Sequence, residues 1–137
     1  MKCSDFTILV AEDDVSMQKI YDKALSAEGY KVILAESGAR ALAELAETPA
    51  HLLITDLKMK NMSALELLPI LKRDHPQMPV IVVSGRYEGL MEDFHKKGFN
   101  NVEIFYQKPL DMAVLKQKIR EMLKIEADSG KTKKMSA

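Results

Sequence analysis

Short runs of apolar, β-branched residues alternate along the chain with stretches whose apolar positions recur every three or four residues. That rhythm predicts an α/β fold with a parallel sheet built from βαβ units. The first run, Thr7–Ala11 (TILVA), is almost uninterrupted, as expected for a central strand covered by helices on both faces. It ends in acids, Glu12, Asp13 and Asp14. Beyond Asp14, a candidate N-cap, Met17, Ile20, Tyr21, Ala24 and Leu25 recur at helical spacing, and Gly29 supplies a stop.

A second strand is expected at Lys31–Ala35, followed by a helix capped by Ser37, carrying Ala41, Leu42 and Leu45 and blocked by Pro49. Residues 52–55 read as a short buried strand that delivers Asp56 at its C-terminal end. Ser63 and Glu66 have capping-box spacing ahead of Leu67, Leu68 and Leu71, but Pro69 removes an interior helix bond, so a kink or a displaced start is expected there. Val80–Val83 forms the next strand, ending at Ser84, and a less regular helix over 88–97 closes at Gly98. The last strand is expected at 104–106. Lys108 and Pro109 then lead to Asp111, the cap of a helix bearing Met112, Leu115, Ile119, Met122 and Leu123. One domain over 1–125 and a disordered tail over 126–137, polar and without apolar period, complete the expectation.

Composition narrows the function more than it specifies it. In 137 residues, 20 Lys plus Arg balance 20 Asp plus Glu, so no overall charge draws the molecule to nucleic acid or to an anionic membrane. The single cysteine, Cys3, cannot form an internal disulfide and suits a reducing compartment. It reads as a terminal thiol without a role. No apolar run reaches the length of a signal-peptide core or a membrane span, so a cytoplasmic protein is expected, with no direct nucleic-acid or membrane partner.

The candidate chemistry lies where the strands end. Right-handed crossovers bring the C-terminal ends of parallel strands to one edge, which is where ligands bind in such sheets. Glu12 and Asp13 follow the first strand, Asp56 the third, Ser84 the fourth and Lys108 the fifth. Carboxylates converging on a small volume repel one another, and protonation or a bound cation relieves them; a cation is the simpler answer. Magnesium takes hard oxygen ligands and keeps waters, so one or two carboxylates, a backbone carbonyl and a phosphoryl oxygen suit it. The Lys108 ammonium and the Ser84 hydroxyl can then stabilise an anionic ligand, leaving Asp56 as the candidate nucleophile. His51, His75 and His95 show no metal-ligand spacing.

The segments ILVAEDD, LLITDLKM, VIVVSG and QKPL, in this order and spacing, resemble the receiver domain of two-component response regulators over residues 6–125. The resemblance implies a doubly wound, flavodoxin-like sheet of five parallel strands in the order 2-1-3-4-5 with helices on both faces. It implies that Asp56 is phosphorylated, and that Mg2+ (or Mn2+) is bound directly by Asp13, through water by Glu12, and by Asp56 and the carbonyl of Lys58. Lys108 would contact the phosphoryl group. Partners would be a sensor histidine kinase or histidine phosphotransfer protein and a downstream protein, contacted through a face made by the fourth and fifth helices and the fifth strand.

Some residues depart from the family pattern. Lys60 stands where a proline is usual, Ala64 where a glycine is usual, and Phe105 at the aromatic switch position more often held by Tyr. The stretch 98–105 reads as a long connection. Two other classes stay in view: an interaction module that works without phosphorylation, and a phosphatase with an Asp nucleophile followed two residues later by a second Asp. Lys58 occupies that last place, which argues against the phosphatase. As a single domain the chain would act by binding protein, although it is equally compatible with a piece of a longer protein.

Overall fold

The computed structural model describes residues 3–56, 64–83, 102–105 and 111–124. After a single turn of 3-10 helix at Cys3–Asp5, the elements are β1 (Thr7–Ala11), α1 (Val15–Ala27), β2 (Lys31–Ala35), α2 (Gly38–Glu47) and β3 (Leu52–Asp56). They continue with α3 (Ala64–Asp74), β4 (Val80–Val83), β5 (Val102–Phe105) and a final helix α4 (Met112–Leu123). All strand pairs are parallel, in the order β2-β1-β3-β4-β5.

Side-chain alternation divides the core between the two faces of this sheet. Ile8 and Val10 of β1, Leu52 and Ile54 of β3, and Ile81 and Val83 of β4 pack against Tyr21 and Leu25 of α1 and Leu115 and Ile119 of α4. Leu9, Leu53, Val80 and Val82 turn the other way, onto Ala41 and Leu45 of α2 and Leu67, Leu68 and Leu71 of α3. Each of these side chains is buried to within a few per cent, so each valine, leucine and isoleucine contributes roughly 1.5–3 kcal/mol relative to exposure. Two apolar faces on β1 and β3 are the reason their sequences carry no alternation.

Local signals fix the helix ends. The Asp14 carboxylate accepts the N–H groups of Ser16 (2.8 Å) and Met17 (3.2 Å), Ser37 accepts that of Arg40 (3.1 Å), and Asp111 those of Ala113 and Val114. Gly29, with φ of 107°, turns the chain out of α1 and into β2. At the other end of the core, Lys124 closes α4 in the left-handed region.

Two expectations need correction and a third, at Pro69, is narrowed. β5 begins at Val102, opposite Val80, so Val102 and Glu103 belong to the sheet and the connection before it is shorter than the sequence suggests. α3 starts at Ala64 and runs through Pro69, so the start is not displaced beyond the proline. Cys3 is buried, with its neighbour Phe6, in the cluster beneath α1 and α4, and so helps close the core. The helix expected over 88–97 and the tail over 126–137 lie outside the described residues. Among the described residues no helix is long and apolar enough to cross a membrane.

Candidate functional site at the C-terminal edge of the sheet

Sheet register brings the acids together. Ala11 of β1 pairs with Thr55 of β3, so the next residues, Glu12 and Asp56, stand side by side at the C-terminal edge of the sheet. Asp56 shares strand parity with Leu52 and Ile54 and therefore belongs to the face covered by α1. One carboxylate oxygen from each of Glu12, Asp13 and Asp56 lies within 4.8 Å of the others. Glu12 is buried and the two aspartates are half-buried, so the group is open toward solvent on one side.

Backbone bonds hold the segment carrying Glu12 and Asp13. The Glu12 N–H donates to the Ala35 carbonyl at 2.9 Å, which extends the β1–β2 pairing by one residue. Its side chain folds back so that Oε2 accepts the N–H of Asp14 at 3.1 Å. The Gln18 side-chain amide, one turn into α1, donates to the Glu12 carbonyl at 2.7 Å. On β3, the buried Thr55 hydroxyl donates to the Asp56 carbonyl at 3.0 Å. Beneath the acids lies Tyr21, whose hydroxyl is pushed well above its ordinary value by burial and then by the negative charge of Glu12 and Asp56. Tyr21 therefore stays neutral.

The donor set is three hard carboxylate oxygens with room for water, which fits Mg2+ or Mn2+ and suits a soft ion poorly. The structure brings together Glu12, Asp13 and Asp56 of the residues singled out in the sequence. Lys58, Ser84 and Lys108 lie outside the described residues. Gln18 and Thr55 escaped the sequence reading: both sit in ordinary helix or strand context, and a hydrogen bond to a backbone carbonyl leaves no sequence signature.

The profile of the response regulator receiver domain matches residues 8–120. The chain belongs to this family. Among curated relatives, the receiver is 33% identical over 120 residues to the transcriptional regulatory protein GlrR of Escherichia coli (strain K12), covering 88% of this chain and 27% of GlrR. It is 30% identical over 130 residues to the nitrogen assimilation regulatory protein NtrX of Azorhizobium caulinodans, covering 84% of this chain and 28% of NtrX. The chain thus spans little more than a quarter of these relatives.

Solved structures agree with the fold. A CheY-like response regulator receiver domain from Methanospirillum hungatei is 27% identical with a TM-score of 0.77, over 87% of this chain and 94% of that one. The receiver domain of the hybrid histidine kinase CckA is 28% identical with a TM-score of 0.70, over 85% and 98%. The protein is a receiver signalling domain of the two-component type, with an acidic cluster at the edge where such domains bind Mg2+.

Proposed function

We propose that this receiver accepts a phosphoryl group on Asp56 from phosphohistidine of a sensor histidine kinase or histidine phosphotransfer protein, in a reaction dependent on Mg2+ or Mn2+. The observation that carries the reading is the convergence of the Glu12, Asp13 and Asp56 carboxylates within 4.8 Å at the ends of adjacent strands. Membership of the receiver family supports it.

A carboxylate oxygen of Asp56 attacks phosphorus in line. The new O–P bond forms as the N–P bond of phosphohistidine breaks, and the departing imidazole nitrogen keeps the electron pair and takes up a proton. Asp13 and the Lys58 carbonyl would hold the metal directly with Asp56, and Glu12 through water. When bound, the ion neutralises charge on the phosphoryl oxygens. Lys108 supplies an ammonium for the same oxygens and Ser84 a hydroxyl donor. Asp56 itself provides the nucleophile, and the buried Glu12 and the neutral Tyr21 keep the floor of the site fixed. Phosphorylation then pulls Ser84 toward the new group and biases Phe105 inward, which alters a protein-binding surface and so the downstream partner. The zero net charge accords with output through protein contacts rather than through nucleic acid or membrane, and a cytoplasmic location is part of the proposal.

Incubation with acetyl phosphate and Mg2+ tests the proposal. Wild type takes up acid-stable, base-labile label, and Asp56→Asn takes up none. Equal labelling of the two proteins defeats the assignment, and no labelling of wild type by acetyl phosphate or by any histidine kinase favours an interaction module that works without phosphorylation.

A further inference from the structure

Gln18 makes two bonds to the segment that carries the metal-ligating acids. Its backbone N–H donates to the Asp14 carbonyl at 2.9 Å, the first bond of α1, and its side-chain amide donates to the Glu12 carbonyl at 2.7 Å. The second bond is the one that matters for the site. The two accepting carbonyls bracket Asp13 and Asp14, so the same residue holds the peptide that precedes Asp13 and the one that follows Asp14. The strand-side bond from Glu12 to Ala35 and the bond from Asp14 to the Glu12 carboxylate complete the frame.

We infer that Gln18 is a positioning residue: through its amide it fixes the peptide between Glu12 and Asp13, and thereby the placement of both carboxylates for a divalent cation. The inference rests on the metal-binding reading of the acidic cluster. An amide suits the task because it donates to the carbonyl without adding charge beside the acids. Carboxylates gathered within 4.8 Å repel one another, and a segment free to swing moves them apart when no ion is bound. A held segment has already met the ordering cost, so binding the cation costs less. The Gln18 side chain is half-buried and borders an open surface hollow lined also by Leu34, Glu36 and Arg40.

The test is Gln18→Met, which keeps length and neutrality and removes the donor. Its partner is Ser26→Ala, which deletes an exposed side-chain hydrogen bond at the far end of the same helix, Ser26 to Asp22 at 3.0 Å. Mg2+ affinity is measured by titration calorimetry on the folded proteins, together with the amide 15N shift of Asp13 in the metal-free state. For Gln18→Met the expected result is a dissociation constant raised three- to ten-fold and a displaced Asp13 signal. Ser26→Ala, altered on the same helix away from the acids, should leave affinity and shift unchanged. Equal affinity in Gln18→Met and wild type overturns the positioning role while leaving the acidic site intact, and equal weakening in both variants overturns it in favour of general destabilisation. Absence of Mg2+ binding by wild type at millimolar concentration overturns the inference and the reading beneath it together.

Discussion

Arg120, near the end of the last helix, meets Glu28, the residue that closes the first, at 3.2 Å across 92 positions of sequence. Lys116, one turn earlier on α4, approaches the other oxygen of the same carboxylate at 3.7 Å. These side chains are about one quarter exposed, which places the group between a screened surface pair and a buried one. The link fastens together the two helices that cover the Asp56 face of the sheet.

Arg120→Met should therefore cost about 1 kcal/mol, the upper part of the range for exposed pairs, and lower the melting temperature by a few degrees. Lys116→Met should cost less, since Glu28 keeps its shorter contact. Urea titration of the three proteins checks the order. A melting curve for Arg120→Met superimposable on wild type would show that the pair contributes nothing.

Pro69 stands at the sixth residue of α3, exposed on the helix surface, with no N–H to offer the carbonyl of Leu65 four residues back. Helix α3 persists because Leu67, Leu68 and Leu71 bury its other side against the sheet. Pro69→Ala should restore the missing bond and stabilise the domain by about 1–3 kcal/mol, the interior cost of proline less its benefit to the unfolded chain. Thermal unfolding reads this directly, and a fall in melting temperature would mean that the helix is shaped around the proline.

The fold and the acids were legible for one reason: a strand buried on both faces must be apolar throughout, so its polar ends stand out. TILVA, LLIT and VIVV show this, and register alone carries Glu12 to the side of Asp56. The edge strand β5 was read two residues late because it begins Val102-Glu103 after a polar run, without the uninterrupted apolar signature of its inner neighbours. Cys3 was misjudged because one turn of 3-10 helix has no periodicity to reveal its buried side. Gln18 was passed over since helical spacing identifies a face, never the carbonyl that a side chain on that face will reach.

Two buried tyrosines predict an alkaline limit to stability. Burial is the first cause raising Tyr21, with Glu12 and Asp56 adding to it. Burial also leads for Tyr30, whose hydroxyl has no well-formed hydrogen bond among the described residues, the Cys3 sulfur beside it being a weak acceptor. A phenol whose folded value lies above its unfolded value near 10 contributes stability that is present below about pH 10 and lost as pH rises toward the folded value, because only the unfolded chain releases its proton in that interval. Tyr21→Phe and Tyr30→Phe should each weaken the fall in stability above pH 10. Tyr30→Phe should also match or exceed wild type at pH 7, since it removes a buried hydroxyl without a good partner. A steeper alkaline fall in either variant would contradict the assignment.

Cation binding at the acidic cluster should appear as stability. A ligand that binds only the folded state stabilises it by RT ln(1 + [L]/Kd), about 2.7 kcal/mol when Mg2+ stands a hundredfold above its dissociation constant. Asp13→Asn replaces one of the three charged donors with a neutral oxygen, and loss of one carboxylate at a hard-cation site should weaken binding at least tenfold. At that same Mg2+ concentration the variant would gain at most about 1.4 kcal/mol, so the two proteins should separate on adding metal by roughly the energy of a tenfold change in affinity. Chelation with EDTA should remove about 2.7 kcal/mol from wild type and no more than about 1.4 kcal/mol from the variant. Scanning calorimetry with and without Mg2+ distinguishes the cases, and an equal metal-induced shift in wild type and Asp13→Asn would place the cation elsewhere on the molecule.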